Sequence, residues 1–233
     1  MTKRKSKIDD TLDMKKKYVL IAIRIMEEEG MDGLNIRRVA DEAGCTCAVL
    51  YRHFDKKQDL MMIAAVKFLQ PYIKYLREEF DRVDRDDASL IQADLCNWKA
   101  FIDNAFQYKV YYDLFFNNDK DESFSEYILE YYRLFPSEMI SLDGFTGNIV
   151  LSTDLNMRAF ISLRRSANLG LISMNNSYML ARLSTAVFFG MLSQCPTAPG
   201  SEAEVKAAAS ECFELISELY SNYVNPGVDI TVD

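Results

Sequence analysis

Thr46, Cys47, Ala48, Tyr51, Arg52 and His53 fall within eight consecutive residues, interleaved with the apolar Val49 and Leu50 and followed by Phe54. In a helix, Val49, Leu50 and Phe54 turn inward, and the small, hydroxyl-bearing and cationic side chains are left outside. That mixture suits hydrogen bonding to base edges and phosphates in a major groove wide enough to admit a helix. It suits covalent chemistry poorly. His53 is the only histidine, which leaves carboxylates alone for general-base work. No Walker loop, GxGxxG, HExxH or GxSxG occurs, so no enzyme is expected. The cysteines, at 45, 47, 96, 195 and 212, are odd in number and irregular in spacing, which argues against a disulfide framework or a paired zinc site. Cys45 and Cys47 read as small hydrophobes, with a thiol sensor as the weaker alternative. No metal or cofactor is expected.

The elements that must position these residues are legible just upstream. From Thr11 to about Glu29, Leu12, Val19, Ala22, Ile23 and Met26 recur at helical spacing, and Gly30 stops the run. Asn35 is a good N-cap for a short second helix, Ile36 to Ala43, burying Ile36, Val39, Ala40 and Ala43. Ala40 is small where the second and third helices approach, Gly44 supplies a positive φ, and Thr46 can open the third helix at once. A turn this short makes the helices cross steeply, as in a helix-turn-helix. A fourth helix is predicted from Lys56 through Leu60, Ile63, Val66, Leu69, Ile73 and Leu76. Pro71 should kink or break it near Gln70.

The stretch from Gly33 to Met61, with Val39-Ala40, Ala43-Gly44, Thr46, Leu50-Tyr51-Arg52-His53-Phe54, Lys57 and Asp59-Leu60 in register, resembles the signature of the TetR/AcrR family of transcription regulators; the resemblance spans Met14 to Ile63. It implies an all-α protein: a three-helix helix-turn-helix domain over residues 1–55, then a larger helical bundle over 56–233 for ligand binding and dimerisation. It also implies roles. Arg37 and Lys57 would bind phosphate, with Tyr51 and His53 against the backbone and the amides opening the fourth helix favouring an anion; Arg38, beside Arg37, would also belong to the DNA-binding set. Thr46, Cys47, Ala48 and Arg52 would face base edges, Arg52 reaching guanine. Cys47 departs from the family pattern, which often has a polar or basic residue there.

Charge is distributed to match. The 233-residue chain carries a net −8, yet residues 1–60 hold 13 Lys and Arg against 11 Asp and Glu, leaving 14 against 24 for the remainder. A basic head on an acidic body can present one end to a polyanion. Lys3, Arg4, Lys5 and Lys7 read as a solvated tail or an arm along the duplex. Asp9, Asp10 and Asp13 stand where a signal peptide would need an apolar core. No run approaches the length of a membrane span, so a cytoplasmic protein without membrane partners is expected.

The body reads as helical throughout: Ala88 to Tyr108, Val110 to Phe116, Glu122 to Leu142, Thr153 to Met174, Ser177 to Gln194 and Ser201 to Val224. Loops are expected at Asp81 to Asp87, Asn117 to Asp121, Gly144 to Gly147 and around Pro196, Pro199 and Gly200, and the tail from Asn225 should be loose. Thirteen of the 28 aromatic residues lie between Trp98 and Phe135. They fill a core or line a cavity; for the second reading the candidates are Trp98, Phe101, Tyr111, Phe115, Tyr127 and Tyr131, with Phe160 and Arg164 facing them from a later helix. The expected effector is a small apolar or aromatic molecule, its anionic group, if it has one, meeting Arg164. Leu180, Leu183, Val187 and Met191 form one terminal stripe; Val205, Ala209, Cys212, Ile216 and Leu219 form the other. They resemble the helix pair with which TetR relatives build an intersubunit four-helix bundle, which implies a homodimer on a near-palindromic DNA operator. The rival reading is a helical protein-interaction module with an idle DNA-binding head.

Overall fold

Glycines at two turns, Gly30 (φ 72°) and Gly44 (φ 76°), divide the first fifty residues into three helices. In the computed structural model these are α1 (Lys7–Glu29), α2 (Ile36–Ala43) and α3 (Cys47–Leu50). The structure describes residues 7–78, 90–116, 124–139, 144–152, 154–195 and 201–232, and among them there is no strand. Asn35 Oδ1 accepts the Arg37 amide at 2.9 Å, capping α2 as its residue type predicts. At the other end Cys45 N–H reaches Ala40 O at 2.9 Å and Gly44 N–H reaches Asp41 O at 3.1 Å. This paired closure requires the left-handed backbone that Gly44 supplies. Lys17 Nζ donates to Ala43 O at 2.8 Å, satisfying another terminal carbonyl. Val39, Ala40, Leu50 and Phe54 are buried with Tyr18, Val19, Ala22 and Met26 of α1.

The expected fourth helix is divided. α4 (Lys57–Ala65) tightens into a 3-10 turn over Val66–Leu69 before α5 (Gln70–Glu78) begins. Pro71 lies in the first turn of α5, where its missing N–H is tolerated, and the irregularity falls in the turn before it. The remaining helices are α6 (Leu90–Gln107), α7 (Lys109–Phe116), α8 (Phe124–Leu134), α9 (Gly144–Leu151), α10 (Leu155–Asn168), α11 (Met174–Gln194) and α12 (Glu202–Tyr223). No helix among the described residues is long and apolar enough to cross a membrane.

Several expected boundaries are corrected. The helix predicted to run to Leu142 ends at Leu134, because Pro136 opens a short 3-10 turn. The predicted Gly144 to Gly147 loop is the start of α9. The helix expected to continue to Met174 stops at Asn168, ahead of Gly170 (φ 76°), and Ser173 caps a new helix by accepting from Asn176 N–H at 3.1 Å. Asn225, expected to be loose, is docked: its amide donates to Leu171 O at 2.9 Å and its side chain to Gly170 O at 2.6 Å. The loops expected at Asp81 to Asp87, Asn117 to Asp121 and Pro196 to Gly200, and the basic run Lys3 to Lys5, lie outside the described residues.

Two compact units result. One comprises residues 1–69 with 120–139, the other residues 70–119 with 140–233. In the first, α8 packs on α4 and α1. Lys15 Nζ lies 2.6 Å from Glu130, Lys67 Nζ lies 3.2 Å from Glu138, and the Tyr127 hydroxyl donates to Asp59 Oδ1 at 3.0 Å. In the second, α6, α10, α11 and α12 pack in contact with one another. Trp98, Phe101 and Phe188 sit at its centre, with Phe101 and Phe188 rings 5.0 Å apart.

Candidate functional site

The third helix is a single turn, Cys47–Leu50, continued as a tight turn in which Arg52 N–H reaches Val49 O and His53 N–H reaches Leu50 O. Leu50 and Phe54 fix it from below, both buried. Thr46 occupies the N-cap position, but its hydroxyl makes no capping bond. Thr46, Ala48, Tyr51 and Arg52 are exposed; Cys47 is half-buried. The outward set therefore reaches solvent as one short segment, except at His53. That imidazole turns edge-on to Tyr18, ring centroids 5.3 Å apart, and its Nδ1 is buried without a hydrogen-bond partner. Burial, with Lys15 and Arg52 beside it, holds its pKa below the ordinary histidine value, so it is neutral at neutral pH. Any phosphate contact from His53 would be that of a neutral N–H donor.

The cations of the first unit divide into two classes. Arg24 pairs with Glu28 and Glu42, Arg38 with Glu29 at 2.6 Å and Glu42 at 3.1 Å, and Arg133 with Glu130. Lys15 and Lys67 are paired as described above, Lys16 sits 5.1 Å from the Phe135 ring centroid and Lys17 is bound to a carbonyl. Arg37, Arg52, Lys56 and Lys57 are exposed and have no acidic partner among the described residues. Along the sequence these four bracket the third helix. Arg38, expected among the DNA-binding residues, is paired with two carboxylates that hold it more firmly charged than an ordinary arginine. Lys56, not singled out from the sequence, joins the free set; adjacency to Lys57 was the available signal. At the start of α4, Asp59 Oδ2 already accepts the Lys56 amide at 2.8 Å, so part of the site expected for an external anion is served by the chain's own carboxylate.

The expected effector residues do not gather into one place. Tyr127 and Tyr131 belong to the first unit, where Tyr131 donates to Glu138 at 2.7 Å. Tyr111 and Phe115 are buried in the second unit and do not line the cavity beside Trp98. Phe160 meets the Tyr178 ring at 5.9 Å in an outer cleft of about 370 Å3 with Asp154, Asn156, Met157, Ala181 and Arg182. Arg164 is exposed. Trp98 and Phe101 do share a cavity, with Tyr72, Asp94, Asn97, Ile149, Leu155, Arg158 and Ala159, of about 20 Å3. Its cation is Arg158. Burial pushes the Asp94 carboxyl up to about 6, against the Ser162 and Tyr220 hydroxyls that donate to it.

The stripes expected at a dimer interface also divide. Leu180, Ala209, Cys212 and Ile216 are buried within the second unit. Leu183, Val187, Met191, Val205 and Leu219 are half-exposed. Tyr178, Met179 and Leu215 are among the large apolar residues most exposed on α11 and α12.

Residues 21–62 match the family of bacterial regulatory proteins, tetR family. An HTH-type transcriptional regulator of Staphylococcus aureus strain RF122 is 29% identical over 77 residues, which are 33% of this chain and 42% of that protein. Another from strain USA300 is 29% identical over 69 residues, 30% of this chain and 37% of the relative. The chain thus matches less than half the length of these relatives. Two solved structures share the fold over nearly the whole chain. The repressor SmeT of Stenotrophomonas maltophilia, of the multidrug efflux pump SmeDEF, superposes with TM-score 0.51 at 17% identity, over 96% of this chain and 98% of that one. A TetR transcription regulator from Haloarcula marismortui does so with TM-score 0.51 at 14% identity, over 91% and 99%.

Proposed function

We propose that this chain, which belongs to the tetR family of bacterial regulatory proteins by its N-terminal segment, is a transcription regulator that seats its third helix in the major groove of duplex DNA as a homodimer. The observation that carries this reading is the segregation of charge in the first unit: among its described cations, those free of partners, Arg37, Arg52, Lys56 and Lys57, bracket the third helix along the sequence, where Thr46, Ala48 and Tyr51 are exposed. Phosphate contacts from Arg37, Lys56 and Lys57 set the register, and Arg52 reads a guanine edge.

A homodimer forms through the outward faces of α11 and α12, on which Leu183, Val187, Met191, Val205 and Leu219 remain accessible. Two-fold symmetry then demands half-sites about one helical turn, roughly 34 Å, apart. A small apolar effector held in the second unit acts by favouring one state of the dimer, a population shift that releases DNA and makes the protein a repressor. Selection of bound fragments from random duplex DNA with the purified chain tests this reading. Enrichment of one near-palindromic sequence is expected; a monomer in solution, or no enrichment at low ionic strength, overturns it.

A further inference from the structure

Arg158 sits on the inward face of α10 and is 7% exposed. Its guanidinium carbon lies 5.1 Å from the Phe101 ring centroid, 5.6 Å from that of Tyr72 and 5.8 Å from that of Phe116. One Nη donates to the Tyr72 hydroxyl at 3.2 Å, and Tyr72 in turn donates to Asn97 Oδ1 at 3.0 Å. A guanidinium has five N–H donors, and no carboxylate pairs with this one among the described residues. The acid in the same cavity wall is committed elsewhere: Asp94 Oδ1 is taken by the Ser162 hydroxyl and Oδ2 by that of Tyr220. Burying a cation without a counter-charge is costly, and ring faces offset only part of that cost. The arrangement is that of a half-built ion pair opening on a cavity.

We infer that this cavity receives a small monocarboxylate with an apolar or aromatic body, its two oxygens held by the Arg158 fork. The inference rests on the reading of the second unit as an effector domain and gives that effector its chemistry. A planar carboxylate matches parallel guanidinium N–H groups, and a single cation neutralises a single negative charge. Asp94 lines the same cavity, so a second negative charge on the ligand would add repulsion that one cation does not offset. Trp98, Ile149 and Leu155 provide the apolar wall for the rest of the molecule. At about 20 Å3 the cavity holds little more than one water, so a ligand enters only as these side chains yield.

Trp98 is the only tryptophan in the chain and lines the cavity, so its fluorescence reports entry directly. The full chain, without DNA, is titrated with benzoate and octanoate, each beside its neutral amide, and with phenyl phosphate. A saturable response to a carboxylate is expected, with its amide weaker by about tenfold or more. Arg158→Met should erase that preference, and Arg164→Met, at an exposed position outside the cavity, should keep it. Arg158→Lys, which retains the charge without the fork, should bind more weakly yet still prefer the acid, and stands in should the Met variant fail to fold. Equal binding of acid and amide, preference for the phosphate, no saturable response to either acid, or an undiminished preference in Arg158→Met overturns the inference. Because DNA is absent, failure here leaves the proposed duplex binding standing, and failure of the duplex selection leaves this titration unaffected.

Discussion

Of the two units, only the second holds, among its described residues, a buried cation with no carboxylate partner. In the first, the cations without partners, Arg37, Arg52, Lys56 and Lys57, are all exposed, and the others find an acid, a ring or a carbonyl within the unit. In the second, Arg158 is unpaired and buried. An exposed free cation stays hydrated, at little cost to folding, and is available to any polyanion that approaches. A buried one is desolvated and discriminates sharply between an anion that reaches it and a neutral molecule of the same shape. On the proposed reading, a long polyanion would meet the first unit and a small anion the Arg158 cavity of the second.

The largest test of this contrast is Leu50→Ala. Leu50 is fully buried beneath the third helix, and its truncation should cost about 2 to 5 kcal/mol. Duplex binding should be lost and the Trp98 fluorescence of the second unit left unchanged. A change in that fluorescence would show that the loss is not confined to the first unit.

Asp94→Asn comes next and addresses the second unit alone. Burial raises Asp94 from 3.8 to about 6, so the folded state holds this proton more tightly than the unfolded chain does. The charged form costs about 3 kcal/mol at neutral pH by linkage. That cost disappears as pH falls through 6 towards 4, so stability from this group is present at low pH and lost as pH rises. The melting temperature of the native chain relative to Asp94→Asn should increase between pH 7.5 and 5. A difference independent of pH would contradict the burial of an ionisable Asp94.

Arg52→Ala should relax preference at one base position by about 1 to 3 kcal/mol, read by competition between duplexes differing at that position. The smallest effect belongs to Asn35→Ala, which removes the α2 cap and should lower stability by about 1 kcal/mol in chemical unfolding.

How much of this could be read from the residues follows the same division. The head is built from local signals: Asn35 caps two residues away, Gly44 closes the turn at its own position, and Val39, Ala40 and Leu50 lie within a dozen residues of one another. The second unit is assembled across long separations. Asp94 meets Ser162 and Tyr220 at separations of 68 and 126 residues, and Arg158 meets Tyr72 at 86. Aromatic density pointed to Trp98 and Phe101 but could not distinguish the unit to which Tyr127 and Tyr131 belong. One signal was present and unused. Leu155, Arg158, Ala159, Ser162, Leu163 and Ser166 recur on a single helical face, and a charged residue on such a buried stripe demands an explanation. Phe160 and Arg164 fall off that face, which is why neither reaches the cavity.

The central claim, that unpartnered cations mark the face applied to DNA, is tested most directly by the salt dependence of duplex binding in Lys57→Ala and Lys67→Ala. Lys57 is free and Lys67 is paired with Glu138. Logarithmic affinity should fall linearly with logarithmic salt in the native chain, with a slope about one unit shallower in Lys57→Ala and unchanged in Lys67→Ala. Equal slopes in the two variants, or binding indifferent to salt, would contradict it.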